Sequence, residues 1–212
     1  MASRAPATDP ATGPVSPRGS ARTRLLDAAI DVIRATGLHA TTVDDLCAAA
    51  GVTKGAFFHH FATKEHLAVE AARHWSATTG ELFAAADYHD HADPVDRILG
   101  YVDLRAELIR GNTAEFTCLV GTMVQEAFAT QPAVRDACFD SIFGHADTLV
   151  ADIADALARN GDTDTDPVSL ARHTQAVLQG SFILAKAADD PTMATDSIAH
   201  LRRYLRLMLT RH

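Results

Sequence analysis

The chain has 212 residues, 47% of them apolar, and a formal net charge of −8 at pH 7. This is material for one large folded domain or two modest ones, and the acidic balance excludes a protein that coats nucleic acid indiscriminately. No run of about 18 apolar residues occurs and the N-terminus lacks the apolar segment of a secretory signal, so no membrane span is expected and the location reads as cytoplasmic.

Residues 1–21, rich in Pro, Ala, Ser, Thr and Gly, carry too little apolar surface to offset their own ordering entropy and read as a disordered arm. From Arg22 onward, Leu25, Leu26, Ala29, Val32 and Ile33 recur at spacings of three and four, with Gly37 as a stop, so a first helix is expected. Thr42 and Asp45 form a capping pair for a short second helix ended by Gly51, and Thr53 caps a third. A fourth helix is expected over 64–83. Beyond a polar break at 86–94, helical periodicity predicts helices at 94–110, 116–129, 132–159, 167–188 and 195–210, with Pro132 and Pro167 near the starts of the last but two and the last but one. No alternating pattern of useful length and no internal repeat is present. The expected class is all-α, a three-helix unit over 22–68 followed by a larger helical domain over 69–212.

Charge is segregated along this plan. Residues 1–66 hold seven basic and six acidic side chains, roughly +1, which leaves roughly −9 for the rest. Only the N-terminal third suits a polyanion. On a helical wheel of residues 54–61, Phe57 and Phe61 fall in one narrow arc and point to the core. Gly55, Ala56 and His59 lie opposite, flanked by Phe58 and His60, with Lys54 at the N-terminal end. Small residues at the crown of a short helix allow its backbone to come near base edges in a major groove about 12 Å wide. Two short helices joined at a glycine and braced by a preceding one make a helix-turn-helix.

The segment TTVDDLCAAAGVTKGAFFHHFATKEHL resembles the N-terminal signature of the tetracycline-repressor (TetR/AcrR) family of transcriptional regulators. Thr42, Gly51, Val52, Lys54, Gly55, Phe61, Lys64, Glu65 and Leu67 fall where that pattern would put them. The resemblance implies that Thr42, Thr53, Lys54, Phe58, His60 and Lys64 lie near phosphates, while Gly55, Ala56 and His59 face the bases. Phe58 departs from the family's usual tyrosine and lacks its hydroxyl. The resemblance further implies a homodimer on a palindromic double-stranded operator, released by a small-molecule effector, with no enzymatic activity and no cofactor.

In the C-terminal part, Trp75, Tyr101, Arg105, Phe116, Met123, Phe139, Phe143 and Phe182 are the side chains best able to line a pocket between helices, as ordinary core remains the other reading of each. Arg105, on an inward-leaning helix, calls for an anionic partner, either Glu126 or a ligand. Cys118 is expected in the first turn of a helix beside that pocket. A branch of the resembled family senses electrophiles through a cysteine in this region, whereas packing explains the same residue. Val177, Ser181 and Leu184 on one of the last two helices, and Ile198, Leu201, Leu205 and Met208 on the other, form broad apolar surfaces; in the resembled family such helices pair with their symmetry mates. Two further readings stand: a helical enzyme with a metal at the 87–93 loop, where His89 and His91 lie near acidic residues, and an interaction module without sequence-specific DNA binding. No Ser-His-Asp, HExxH or phosphate-loop pattern is visible.

Overall fold

The computed structural model describes residues 19–210, so most of the arm expected over 1–21 lies outside the described residues. Among those described, every regular element is helical, in accord with the all-α expectation. The N-terminal unit comprises α1 (Ala21–Thr36), α2 (Val43–Ala50) and α3 (Lys54–His60), followed by the long α4 (Lys64–Ala84). Each start has a side-chain cap: the Ser20, Thr42, Thr53 and Thr63 hydroxyls accept from the backbone N–H three residues on. Ser20 therefore belongs to the fold rather than to the arm.

The body contains α5 (Pro94–Glu107), α6 (Thr113–Phe116), α7 (Leu119–Ala127), α8 (Pro132–Asp147), α9 (Val150–Arg159), α10 (Pro167–Ala188) and α11 (Thr192–Leu209). Two predicted helices differ. The one expected over 116–129 begins only at Leu119, as α7, because Thr117 and Cys118 are extended; a short helix that was not expected, α6, precedes it and ends at Phe116, and Cys118 is the N-cap of α7 rather than a first-turn residue, its sulfur accepting from Gly121 N at 3.5 Å. The segment 132–159 breaks at Thr148–Leu149, where Leu149 N donates to Ala146 O and the Thr148 hydroxyl to His145 O. Both residues keep helical dihedrals, so the apolar periodicity runs through the break. The 86–94 segment is not a bare linker. It holds a 3-10 helix, Asp87–Asp90, whose Tyr88 packs so closely on α5 that a Cβ at Gly100 would lie 2.6 Å from Tyr88 Cβ.

Two large apolar cores result, beside a small cluster of Phe182, Ala185 and Ala194. One joins α1–α4 to α7 and α8, with Phe57 and Phe61 beside Leu25, Ile33, Leu67, Met123 and Cys138. The other joins α5, α9, α10 and α11 around Ile98, Val102, Ile153, Leu178 and Leu205. The first core runs past residue 68, so α4 is shared between the N-terminal unit and the body. No helix among the described residues is long and apolar enough to cross a membrane.

Candidate nucleic-acid interface and internal cavity

The turn between α2 and α3 is built locally. Gly51 adopts φ 62°, ψ 42°, its N–H and that of Val52 returning to carbonyls of the last turn of α2. The start of α2 is locked by a reciprocal pair: Thr42 N donates to Asp45 Oδ2 at 2.9 Å and Asp45 N to Thr42 Oγ1 at 3.1 Å. The Thr42 hydroxyl, which also donates to Asp45 Oδ2 at 2.6 Å, and then the Thr42 N–H hold the Asp45 carboxyl below its ordinary range. On α3, Phe57 and Phe61 are buried with ring centroids 5.8 Å apart. The opposite face is open: Thr53, Lys54, Gly55, Phe58 and His59 are exposed, and Ala56 and His60 half-buried.

The fold does not need a glycine at position 55 of this face. A Cβ there would meet only Thr53 Oγ1, at 3.7 Å, so the fold would accept a side chain. In the first turn of α3, glycine remains a poorer helix residue than alanine, by up to about 0.5–1 kcal/mol, and the fold gives no steric reason for it. Phe58 is 57% exposed with its ring edge-on to Phe57, a large apolar group that the chain does not cover. Lys54 pairs with Asp44 across the α2–α3 turn at 2.8 Å, and that bond raises its pKa. Lys64 differs from the role the resemblance implied for it. Its ammonium donates to Leu38 O and Thr41 O, both at 2.8 Å, and to His39 O at 3.3 Å, so it clamps the α1–α2 connection instead of presenting its charge outward.

That connection is also gripped from the body. The Glu126 carboxylate on α7 accepts from Leu38 N at 3.2 Å and His39 N at 2.6 Å. Gly37, at φ 87°, leaves room for it; a Cβ would stand 2.3 Å from Glu126 Oε1. Arg34 donates to Glu115 O at 2.7 Å and lies over the Trp75 ring, while Lys186 on α10 donates to Arg34 O and Thr122 Oγ1. Partial desolvation and the nearby Arg34 lower the Lys186 pKa. Glu126 is thus committed to α1, which removes it as the partner of Arg105.

Between α4, α5, α6, α7, α8 and α10 lies a cavity of about 150 Å³. Of the predicted lining residues, Trp75, Arg105, Phe116, Cys118 and Phe182 border it. Four others are elsewhere. Met123 is fully buried in the first core; Tyr101 lies behind the wall; Phe139 is 54% exposed and stacks on Phe143 at 4.3 Å; and Phe143 borders a separate groove with Arg172. Sequence reading missed Ser141, His145, Gln175 and Gln179 on the cavity wall. Their polarity on helices mimics a solvent face.

Arg105, Tyr101, His145 and Gln175 form one network. The Tyr101 oxygen accepts from Arg105 Nε at 2.9 Å and Gln175 Nε2 at 2.8 Å, and lies 3.1 Å from His145 Nε2. Arg105 Nη2 donates to His145 Nε2 at 2.7 Å, which makes that nitrogen the acceptor and puts the ring proton on Nδ1. Burial, and then the Arg105 charge, push the His145 pKa down to about 3, so the imidazole is neutral at pH 7. The guanidinium also rests on the Phe83 ring, 4.2 Å from its centroid.

Of the apolar residues expected to pair two chains, Ile198, Leu201 and Leu205 are at most 3% exposed and Ser181 is buried, all inside this chain's own core. Val177 and Met208 are half-buried, and of the expected set Leu184 alone stands exposed, on an outward face of α10 and α11 that also carries Ile183, Met193, Tyr204 and Leu207. Both sets are apolar at helical spacing, and only tertiary packing separates them. At the 87–93 loop, His89 Nε2 donates to Phe83 O at 3.0 Å, and among the described residues no group of three or more His, Cys, Asp or Glu side chains gathers as a metal site.

The family model described as bacterial regulatory proteins, tetR family, matches residues 25–71, and that of the LmrA/YxaF-like transcriptional regulator C-terminal domain matches residues 94–196. The HTH-type transcriptional repressor KstR2 of Rhodococcus jostii (strain RHA1) is 41% identical over 66 residues, 31% of this chain and 32% of that protein, so the match spans about a third of that relative. The uncharacterized HTH-type transcriptional regulator YxaF of Bacillus subtilis (strain 168) is 23% identical over 176 residues, covering 82% of this chain and 90% of that one. In fold, the chain is similar to regulatory protein TetR from Rhodobacter sphaeroides, with a TM-score of 0.77 and 22% identity over 87% of this chain and 98% of that one. The reduced form of E. coli NemR gives a TM-score of 0.72 and 21% identity over 86% and 95% of the respective chains.

Proposed function

The chain belongs to the TetR family of transcriptional regulators, and from that premise we propose that it represses transcription as a homodimer on a palindromic operator and is released by a small molecule in the internal cavity. The observation that carries the DNA reading is the outer face of α3, where Gly55 leaves space that the fold does not need and Phe58 and His59 stand exposed. Gly55, Ala56 and His59 would face the bases; Thr42, Thr53, Lys54, Phe58 and His60 would lie toward sugar and phosphate. Lys54 would exchange Asp44 for a phosphate. Lys64 would act from behind, by fixing the α1–α2 connection.

Two chains would pair through Leu184, Tyr204 and Leu207 on the exposed face of α10 and α11. A twofold axis there sets the two α3 helices for half-sites about 34–36 Å apart. The effector would act by population shift, binding the DNA-incompetent arrangement more tightly than the competent one. Two routes lead outward from the cavity: α4, through Trp75, and the α1 C-terminus, held by Glu126, Lys186 and the Glu115 carbonyl.

Titration of the purified protein onto DNA flanking its own gene, against random DNA and across a salt series, tests the reading. Tight binding to one fragment by two chains per site, with affinity falling steeply as salt rises, is expected. Equal affinity for both DNAs would overturn it.

A further inference from the structure

The cavity holds one unneutralised positive charge. Among the described residues no carboxylate pairs with Arg105, and the anion that sequence reading offered, Glu126, is committed to the Leu38 and His39 amides. Of the five guanidinium hydrogens, Nε–H is used by Tyr101 and one on Nη2 by His145, which leaves the Nη1 pair and one on Nη2 without a protein acceptor. The cavity wall contains no Asp, Glu or Lys, and His145 is neutral at pH 7. Arg105 is half-buried, and its free N–H groups at the cavity wall offer charge-assisted hydrogen bonds to an anion brought to them.

We propose that the cavity binds a small monocarboxylic acid, its carboxylate held by the free edge of Arg105 and its apolar body by Trp75, Phe116, Leu178 and Phe182. The assignment rests on the effector reading of this cavity and deepens it. Three features select the class. A single guanidinium with no second cation matches one negative charge, whereas a phosphate dianion would keep a charge uncompensated. The Arg105 fork is held by Tyr101, whose hydroxyl is fixed by Gln175, so its open edge is set before a ligand arrives. The volume of about 150 Å³ matches that of an engineered apolar cavity that takes one benzene, so the apolar body of the acid is about one ring in size.

Trp75 is the chain's only tryptophan and borders the cavity, which supplies a reporter in the full chain. Its fluorescence would be titrated with benzoate and with benzyl alcohol of nearly the same shape. Benzoate should bind roughly 10- to 100-fold more tightly, the size of a charged hydrogen-bonded contact. Arg105→Met should abolish that preference and leave benzyl alcohol unaffected; Arg105→Lys should retain part of it. Equal affinities for acid and alcohol in the wild-type chain, or no saturable change with benzoate at millimolar concentration, would overturn the assignment whatever the variants do. DNA binding measured in the same samples separates the two claims. Benzoate that binds through Arg105 without altering DNA affinity would leave the site and refute the effector role, whereas DNA release by the alcohol alone would refute the acid assignment and leave the effector role.

Discussion

On the outer face of α3 the side chains stand in water and the fold is indifferent to them, as at Gly55, where a Cβ would make one ordinary contact, to the Thr53 hydroxyl. Around Arg105 the reverse holds: Tyr101, His145 and Gln175 each fix another member of the group, and only one edge of the guanidinium is open. The first surface takes its rigidity from backbone caps and the second from side chains. Substitutions on the outer face of α3 should therefore change binding without lowering stability, and substitutions in the cluster should change both.

The largest separation is expected at Gly55. Gly55→Leu should lower affinity for specific DNA by about 100-fold, near 3 kcal/mol, because several base contacts are lost together. Its melting temperature should be unchanged or higher. A fall in both would erase the contrast. Next comes His145. Its folded pKa of about 3 lies below the ordinary 6.5, so between those values the unfolded chain binds the extra proton and stability falls as pH drops. The loss should reach about 2–3 kcal/mol at pH 4.5 relative to neutral pH, and His145→Gln should flatten that slope, as read by urea unfolding.

Lys64 sharpens the comparison within the N-terminal unit. Lys64→Met should cost about 2 kcal/mol of stability through its lost carbonyl bonds, yet leave the salt dependence of DNA binding intact. Lys54→Ala should do the opposite and reduce the salt slope by about one unit. An equal loss of slope in both would return Lys64 to the phosphate backbone. The smallest effect belongs to Gly55→Ala, a gain of up to about 0.5–1 kcal/mol in helix stability, measured as a higher denaturant midpoint.

The same contrast explains what could be read in advance. Thr42 with Asp45, Gly51 and Thr53 act within four residues of themselves, so the caps, the turn and the outward face of α3 are legible from local spacing. Lys64 was not, because its acceptors lie 23 to 26 residues away and a lysine near DNA-facing residues looks like a phosphate contact. The cavity draws on six helices. Periodicity gives an apolar face but not which neighbour covers it, so Met123 and Tyr101 went to the pocket instead of the core, and Ile198, Leu201 and Leu205 to a dimer surface instead of the interior. His145 and Gln175 carried no local signal at all. Arg105 did: a cation on an inward face raised the question of its counter-ion, and the geometry removed the protein's own candidate.

The most direct test is a footprint of the purified protein on the DNA flanking its gene. Two protected half-sites on one face of the duplex, about 34–36 Å apart and related by a palindrome, are expected for wild type, with both lost together in Gly55→Leu. Protection spread evenly over any DNA, or a footprint unchanged in Gly55→Leu, would contradict the assignment of α3 as the surface that reads sequence.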